Sequence, residues 1–148
     1  MSQNSSIIDL NRKRAGMSYV NLMDYLNQIN NKTNNNEEKN SSRKKMKSYC
    51  RNLPVLIKTN GLLNALCFIK GKSKIEKEKN EYSYIYDWIN TWFHEIGYYD
   101  DQKDIIEKLL DLKNSEYYIY TKEAIEISNW YKRNAEAMID DVDKNIRF

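Results

Sequence analysis

The chain of 148 residues predicts an all-α protein, a single-domain helical bundle of about five to six helices, and three observations carry that prediction. Four Gly and one Pro are too few for the frequent tight turns of a β fold. Apolar residues recur at helical spacing in successive segments. A hydrophobic content of 41% at this length supports one core that buries roughly two thirds of the unfolded surface.

The first helix is expected over residues 6–30, where Ile8, Ala15, Leu22 and Ile29 recur every seventh position with Tyr19 and Leu26 in the turns between. Residues 31–42 are Asn-rich, offer no apolar group to bury, and are expected as a mobile loop. Ser41 or Ser42 then caps a second helix that turns Met46, Tyr49, Cys50, Leu53 and Ile57 inward. Pro54 bends this helix, and Asn60 with Gly61 forms a left-handed stop. The third helix, GLLNALCFIKG, is apolar on most of its surface and is expected to be central.

Asn80 caps a fourth helix with the stripe Tyr82, Ile85, Tyr86, Ile89, Phe93 and Ile96, closed by Gly97. Asp100 or Asp101 opens a fifth, with Ile105, Ile106, Leu109 and Leu110 facing inward. Ser115 opens the sixth, whose stripe runs Ala124, Ile125, Ser128, Tyr131, Ala135, Met138 and Ile139. Residues 140–148 are expected as a flexible tail to the single domain 1–148.

No apolar run approaches the roughly 20 residues that span a bilayer. The N-terminal stretch lacks an apolar signal core, so a cytoplasmic location without membrane contact is expected. Cys50 and Cys67 lie in apolar periodic stretches with no His or Cys at ligand spacing, which predicts two reduced, buried thiols and neither disulfide nor zinc site.

Charge is distributed unevenly. Residues 1–80 carry 16 Lys and Arg against 6 Asp and Glu, whereas residues 81–148 carry 8 against 15. The basic half is suited to phosphates, and the contrast between halves can orient neighbouring subunits. Along the second helix, counting 100° per residue, Lys47, Arg51 and Lys58 fall within about 60° of Lys44, opposite the apolar stripe. Arg43 and Lys45 flank this ridge, and no acid occurs between Arg43 and Lys58. An ordinary solvated helix face mixes signs in i,i+4 pairs; this one has the footprint of a phosphate-backbone binder. Arg12, Lys13 and Arg14 extend the same character more weakly.

Most of the twelve Tyr and three Trp fall on apolar stripes and are expected in or beside the core. Tyr84, Trp88 and Trp130 lie off the main stripes and are candidates for a protein interface. Catalytic signals are poor. His94 is the sole histidine, and Asp104, Glu107 and Asp111 are interspersed with Lys103 and Lys108 as on a solvated helix. No phosphate-cradling or nucleophile motif is present, and no cofactor or small-molecule substrate is expected.

Two stretches, LPVLIKTNGLLNALCFIKGK over 53–72 and WYKRNAEAM over 130–138, resemble the small subunit of the Cmr complex, the type III-B CRISPR-Cas RNA-targeting effector. The matching positions are Leu53, Pro54, Asn60, Gly61, Leu62, Leu66, Phe68 and Lys72, then Trp130, Lys132, Arg133, Ala135 and Glu136. The resemblance runs from about Asn11 to Met138; Cys67 departs from the usual Ala, Tyr131 from Leu, and the Asn-rich segment is long.

What the resemblance implies is a non-enzymatic structural subunit that stacks in several copies along the effector filament, beside the guide RNA–target RNA duplex and the other Cmr subunits. On this reading Arg43, Lys44, Lys45, Lys47, Arg51 and Lys58 contact RNA backbone, with Lys132 and Arg133 as secondary candidates. The rivals are the small subunit of the related type III-A complex and a metal-dependent nuclease using Asp104, Glu107 and His94.

Overall fold

In the computed structural model, residues 3–141 are described, with side chains from Asp9 onward. Among them are six helices and no strand: α1 Gln3–Lys32, α2 Asn36–Asn60, α3 Leu62–Ser73, α4 Glu81–Glu95, α5 Ile105–Leu110 and α6 Asn114–Met138. The expected stripe position Ile8 and the tail beyond Asp141 lie outside the described side chains. The chain divides into two compact units, one comprising residues 1–52 and 126–148, the other residues 53–125. Both α2 and α6 contribute to each.

In the first unit α1 buries Ser18, Leu22, Tyr25 and Ile29, at offsets of four, seven and eleven. This register turns Tyr19 outward, and it is 48% exposed rather than facing the core. Ser18 can occupy a core position because its hydroxyl donates to the Arg14 carbonyl at 2.9 Å and accepts from Asn134 Nδ2 at 2.6 Å. Met46 and Cys50 come from α2, and Ile127, Tyr131 and Ala135 from α6. Tyr131 is fully buried, and its hydroxyl accepts from Asn21 Nδ2 at 2.7 Å. Burial pushes its phenol above the ordinary range, and it pushes the Cys50 thiol up to about 12.

The Asn-rich loop expected over 31–42 is much shorter, because α1 persists to Lys32 and α2 begins at Asn36. Asn35 Oδ1 accepts from the backbone N–H groups of Glu37 (2.9 Å) and Glu38 (3.2 Å), doing the capping expected of Ser41 or Ser42. Glu37 and Glu38 add negative charge at the positive end of the helix dipole. A polar run without apolar residues is thus a helix start, supported by its cap rather than by burial.

The second unit begins one residue before Pro54, which stays inside α2 as expected. Gly61 separates α2 from α3 with φ 83° and ψ 158°, a conformation essentially reserved for glycine. Its N–H bonds back to the Ile57 carbonyl at 2.8 Å. Helix α3 packs on α4 and α5 and buries Leu62, Ala65, Leu66 and Ile69. One face only is covered. Cys67 and Phe68 lie on the other, so the expectation of a buried Cys67 thiol is corrected: Cys67 is exposed.

Asn80 caps α4 in a reciprocal capping box with Ser83. Ile85, Tyr86, Ile89, Trp92 and Phe93 enter the core, and Tyr120 of α6 stacks on Phe93 at 5.2 Å between ring centroids. Helix α5 has six residues and starts later than Asp100 or Asp101, because Asp104 is its cap. So short a helix buries Ile105 and Leu109 but leaves Leu110, expected inward, 66% exposed.

Candidate nucleic-acid interface

The ridge on α2 is built from six cations, and they have different fates. Lys44 and Lys45 are exposed and make no ion pair among the described residues. Lys58, on the part of α2 that belongs to the second unit, is likewise exposed and unpaired among the described residues. Arg43 is half-buried and donates to Asn30 Oδ1 of α1.

The other two meet carboxylates of the same unit. Lys47 Nζ stands 2.8 Å from Asp141 Oδ1, with only 12% of its side chain exposed. Arg51 Nε lies 3.6 Å from Glu136 Oε1 of α6, and its side chain is 51% exposed. These acids come from the C-terminal part of the chain, so a search within α2 alone could not find them. An exposed pair such as Arg51–Glu136 contributes between about 0 and 1 kcal/mol, little enough for a phosphate to compete with the glutamate.

The candidates on α6 separate by 100° because they are adjacent on a helix. Arg133 is exposed and sets its guanidinium 4.9 Å from the centre of the Trp130 ring; Lys132 is half-buried. Trp130 itself donates from Nε1 to Asn11 Oδ1 of α1 at 2.9 Å, which ties the two helices together. Tyr84 and Trp88, one turn apart on α4, have ring centroids 6.1 Å apart, and Lys79 Nζ lies 4.4 Å from the Tyr84 ring centre.

A cavity of about 750 Å³ opens in the first unit between α1 and the end of α6, with Met23, Leu26 and Met138 as apolar lining. Arg43 borders it together with Asp140 and Asp141, so its polar rim carries both signs and is not a phosphate cradle.

Two residues of the nuclease rival, His94 and Asp104, are engaged otherwise. His94 has Nδ1 3.0 Å from the Asn90 carbonyl and Nε2 3.2 Å from the Asp101 carbonyl. Asp104 caps α5, accepts the Tyr86 hydroxyl and lies 3.6 Å from Lys70 Nζ. Burial, then this bond to Asp104, holds the Tyr86 phenol well above its ordinary range. Among the described residues no group of three His, Cys, Asp or Glu side chains is placed to hold a metal ion. No helix among them is long and apolar enough to cross a membrane.

Sequence reasoning missed Glu123, which has no apolar signature yet is buried on α6, where it accepts from Trp92 Nε1 at 3.0 Å. Its place on the buried face between Tyr120 and Ile127 was the available signal.

Among solved structures, the chain is similar to a CRISPR-associated Cmr5 family protein from Thermus thermophilus, with a TM-score of 0.59 and 20% identity over 88% of this chain and 97% of that one. At that identity the likeness speaks for the fold. No curated protein matches the chain. The model of the CRISPR-associated protein family Cas_Cmr5 matches residues 21–138, well over half of the sequence. The chain therefore belongs to the CRISPR-associated Cmr5 family, that of the small subunit of Cmr (type III-B) complexes.

Proposed function

We propose that this protein is a non-enzymatic structural subunit of a type III-B effector, stacking in several copies along the filament and lining the channel that holds target RNA. The observation that carries the RNA contact is the exposure of Lys44 and Lys45 on α2 with no carboxylate partner among the described residues. Lysines left without internal partners release condensed counterions when they meet phosphates, and so add affinity without reading sequence. Lys58 and Arg51 supplement them. Lys47 is assigned to holding its own unit together, and Lys132 and Arg133 remain secondary contacts.

The family match sets aside the type III-A rival. The nuclease rival lacks support because His94 and Asp104 are spent on local backbone and side-chain bonds. Reversing Lys44, Lys45 and Lys58 to Glu in the assembled complex is expected to lower target-RNA retention while leaving subunit incorporation and helix content unchanged. Retention at the wild-type level, with the reversed subunit incorporated, would sink the proposal.

A further inference from the structure

On the outer face of α3, Phe68 is 45% exposed. Its ring is held in place. Tyr82, at the start of α4, meets it edge-on with centroids 6.1 Å apart, and Lys72, one turn along α3, sets Nζ 5.6 Å from the ring centre. The segment that leaves α3 adds Lys74 and Lys77, with the exposed side chain of Ile75 beside Lys74.

From Lys70 to Lys79 the sequence has five lysines against two glutamates. Two of the lysines are neutralised from elsewhere in the unit: Lys70 by Asp104 at 3.6 Å and Lys79 by Asp87 at 3.0 Å. Lys72, Lys74 and Lys77 have no ion pair among the described residues. A half-exposed aromatic ring therefore has one available cation, Lys72, against it, and two more, Lys74 and Lys77, exposed on the segment that follows.

We infer that this corner of the second unit is a stacking site for single-stranded RNA, in which one base lies against Phe68 while Lys72, Lys74 and Lys77 take adjacent phosphates. The contact of Lys72 with the ring, made at an exposed site, is weak enough to be exchanged for a phosphate as the base arrives. Stacking asks only for a flat ring of fixed orientation and cations spaced along the backbone. An acidic protein segment is less well served, since protein anchors need a desolvated pocket and the apolar groups exposed here are Cys67, Phe68 and Ile75. The inference rests on the RNA-contacting reading above but uses none of the α2 cations.

Fluorescence anisotropy of the full chain with a uridine oligomer, and with an abasic ribose–phosphate oligomer of equal length, separates stacking from charge. Phe68→Ala is expected to weaken the uridine oligomer by about 5- to 150-fold and to leave the abasic oligomer unchanged. Phe68→Trp should retain binding, and Lys72→Ala, Lys74→Ala and Lys77→Ala together should weaken both oligomers alike. With the unmodified chain, a 4-thiouridine oligomer should crosslink within residues 68–82.

No crosslink in that segment, or an equal response of both oligomers to Phe68→Ala, overturns the inference. Loss of polyglutamate binding in Phe68→Ala with RNA binding intact also overturns it, and assigns the patch to an acidic protein segment. If Lys44, Lys45 and Lys58 prove necessary for both oligomers while Phe68→Ala changes neither, this inference falls and the α2 reading stands. Failure of the unmodified chain to bind either oligomer removes both.

Discussion

Lys47 Nζ is 2.8 Å from Asp141 Oδ1, a contact that sets Lys47 apart from the exposed lysines of α2 that have no ion pair among the described residues. Lys44, one turn earlier on the same helix, is exposed and has no such partner among the described residues. Lys47→Ala is therefore expected to lower the unfolding free energy in urea by up to about 1 kcal/mol, given that Asp141 is half-exposed, while changing the salt slope of RNA binding little. Lys44→Ala should do the reverse: stability within about 0.5 kcal/mol of wild type and a slope smaller by about 0.7.

The two thiols are distinguished by burial. Cys67 is exposed and Cys50 is buried, with its thiol pushed up to about 12 by desolvation. A chromogenic disulfide reagent at pH 8 is expected to modify one thiol in the native protein and two in denaturant. Cys67→Ser should abolish the native reaction, and prompt modification of Cys50 in that variant would contradict the packing of the first unit.

Stability should fall on the alkaline side. Above pH 9 an unfolded chain ionises Cys50, whose ordinary value is 9.0, while the folded chain keeps the proton until about 12. The unfolded state then binds fewer protons, so unfolding becomes easier as pH rises. Tyr131, raised by burial, acts in the same direction above pH 10. From pH 8 to pH 10.5 the loss attributable to Cys50 is about 2 kcal/mol. Urea midpoints at the two pH values test this, and Cys50→Ala should flatten the dependence.

Gly61 occupies φ 83° and ψ 158° between α2 and α3. An added Cβ would find room, since its nearest neighbour is the Tyr117 hydroxyl at 3.7 Å, so the cost of Gly61→Ala is backbone strain alone. A destabilisation of about 1–3 kcal/mol is expected in chemical denaturation. A neutral result would show that α2 and α3 can be joined by another turn.

Much of the fold was legible because helix starts and stops are local chemistry. Gly61, Asn80 and Gly97 were all readable as punctuation, and each acts as such. Apolar spacing located the inward faces of α2, α4 and α6. It failed where burial did not follow hydropathy: Ser18 and Glu123 are buried polar groups with their own hydrogen bonds, whereas Cys67, Phe68 and Leu110 are apolar groups on uncovered faces. The Asn-rich segment misled for a related reason, since Asn35 is as good a helix cap as a loop residue.

The basic ridge was legible as a charge pattern but not as a surface. Which lysine keeps its charge for a partner depends on where Glu136 and Asp141 arrive in space, some 90 residues along the chain from Lys47 and Arg51. Pairing between distant segments leaves no mark in local periodicity. The same holds for Trp130, whose bond to Asn11 joins residues 119 positions apart.

The most direct test of the outward-facing cations is the salt dependence of single-stranded RNA binding by the full chain and by the Lys44→Ala, Lys45→Ala, Lys58→Ala triple variant. The slope of log affinity against log salt is predicted to be smaller in the variant by about 2, close to 0.7 for each lysine, with an unchanged urea midpoint. An identical slope in the two proteins would contradict the account.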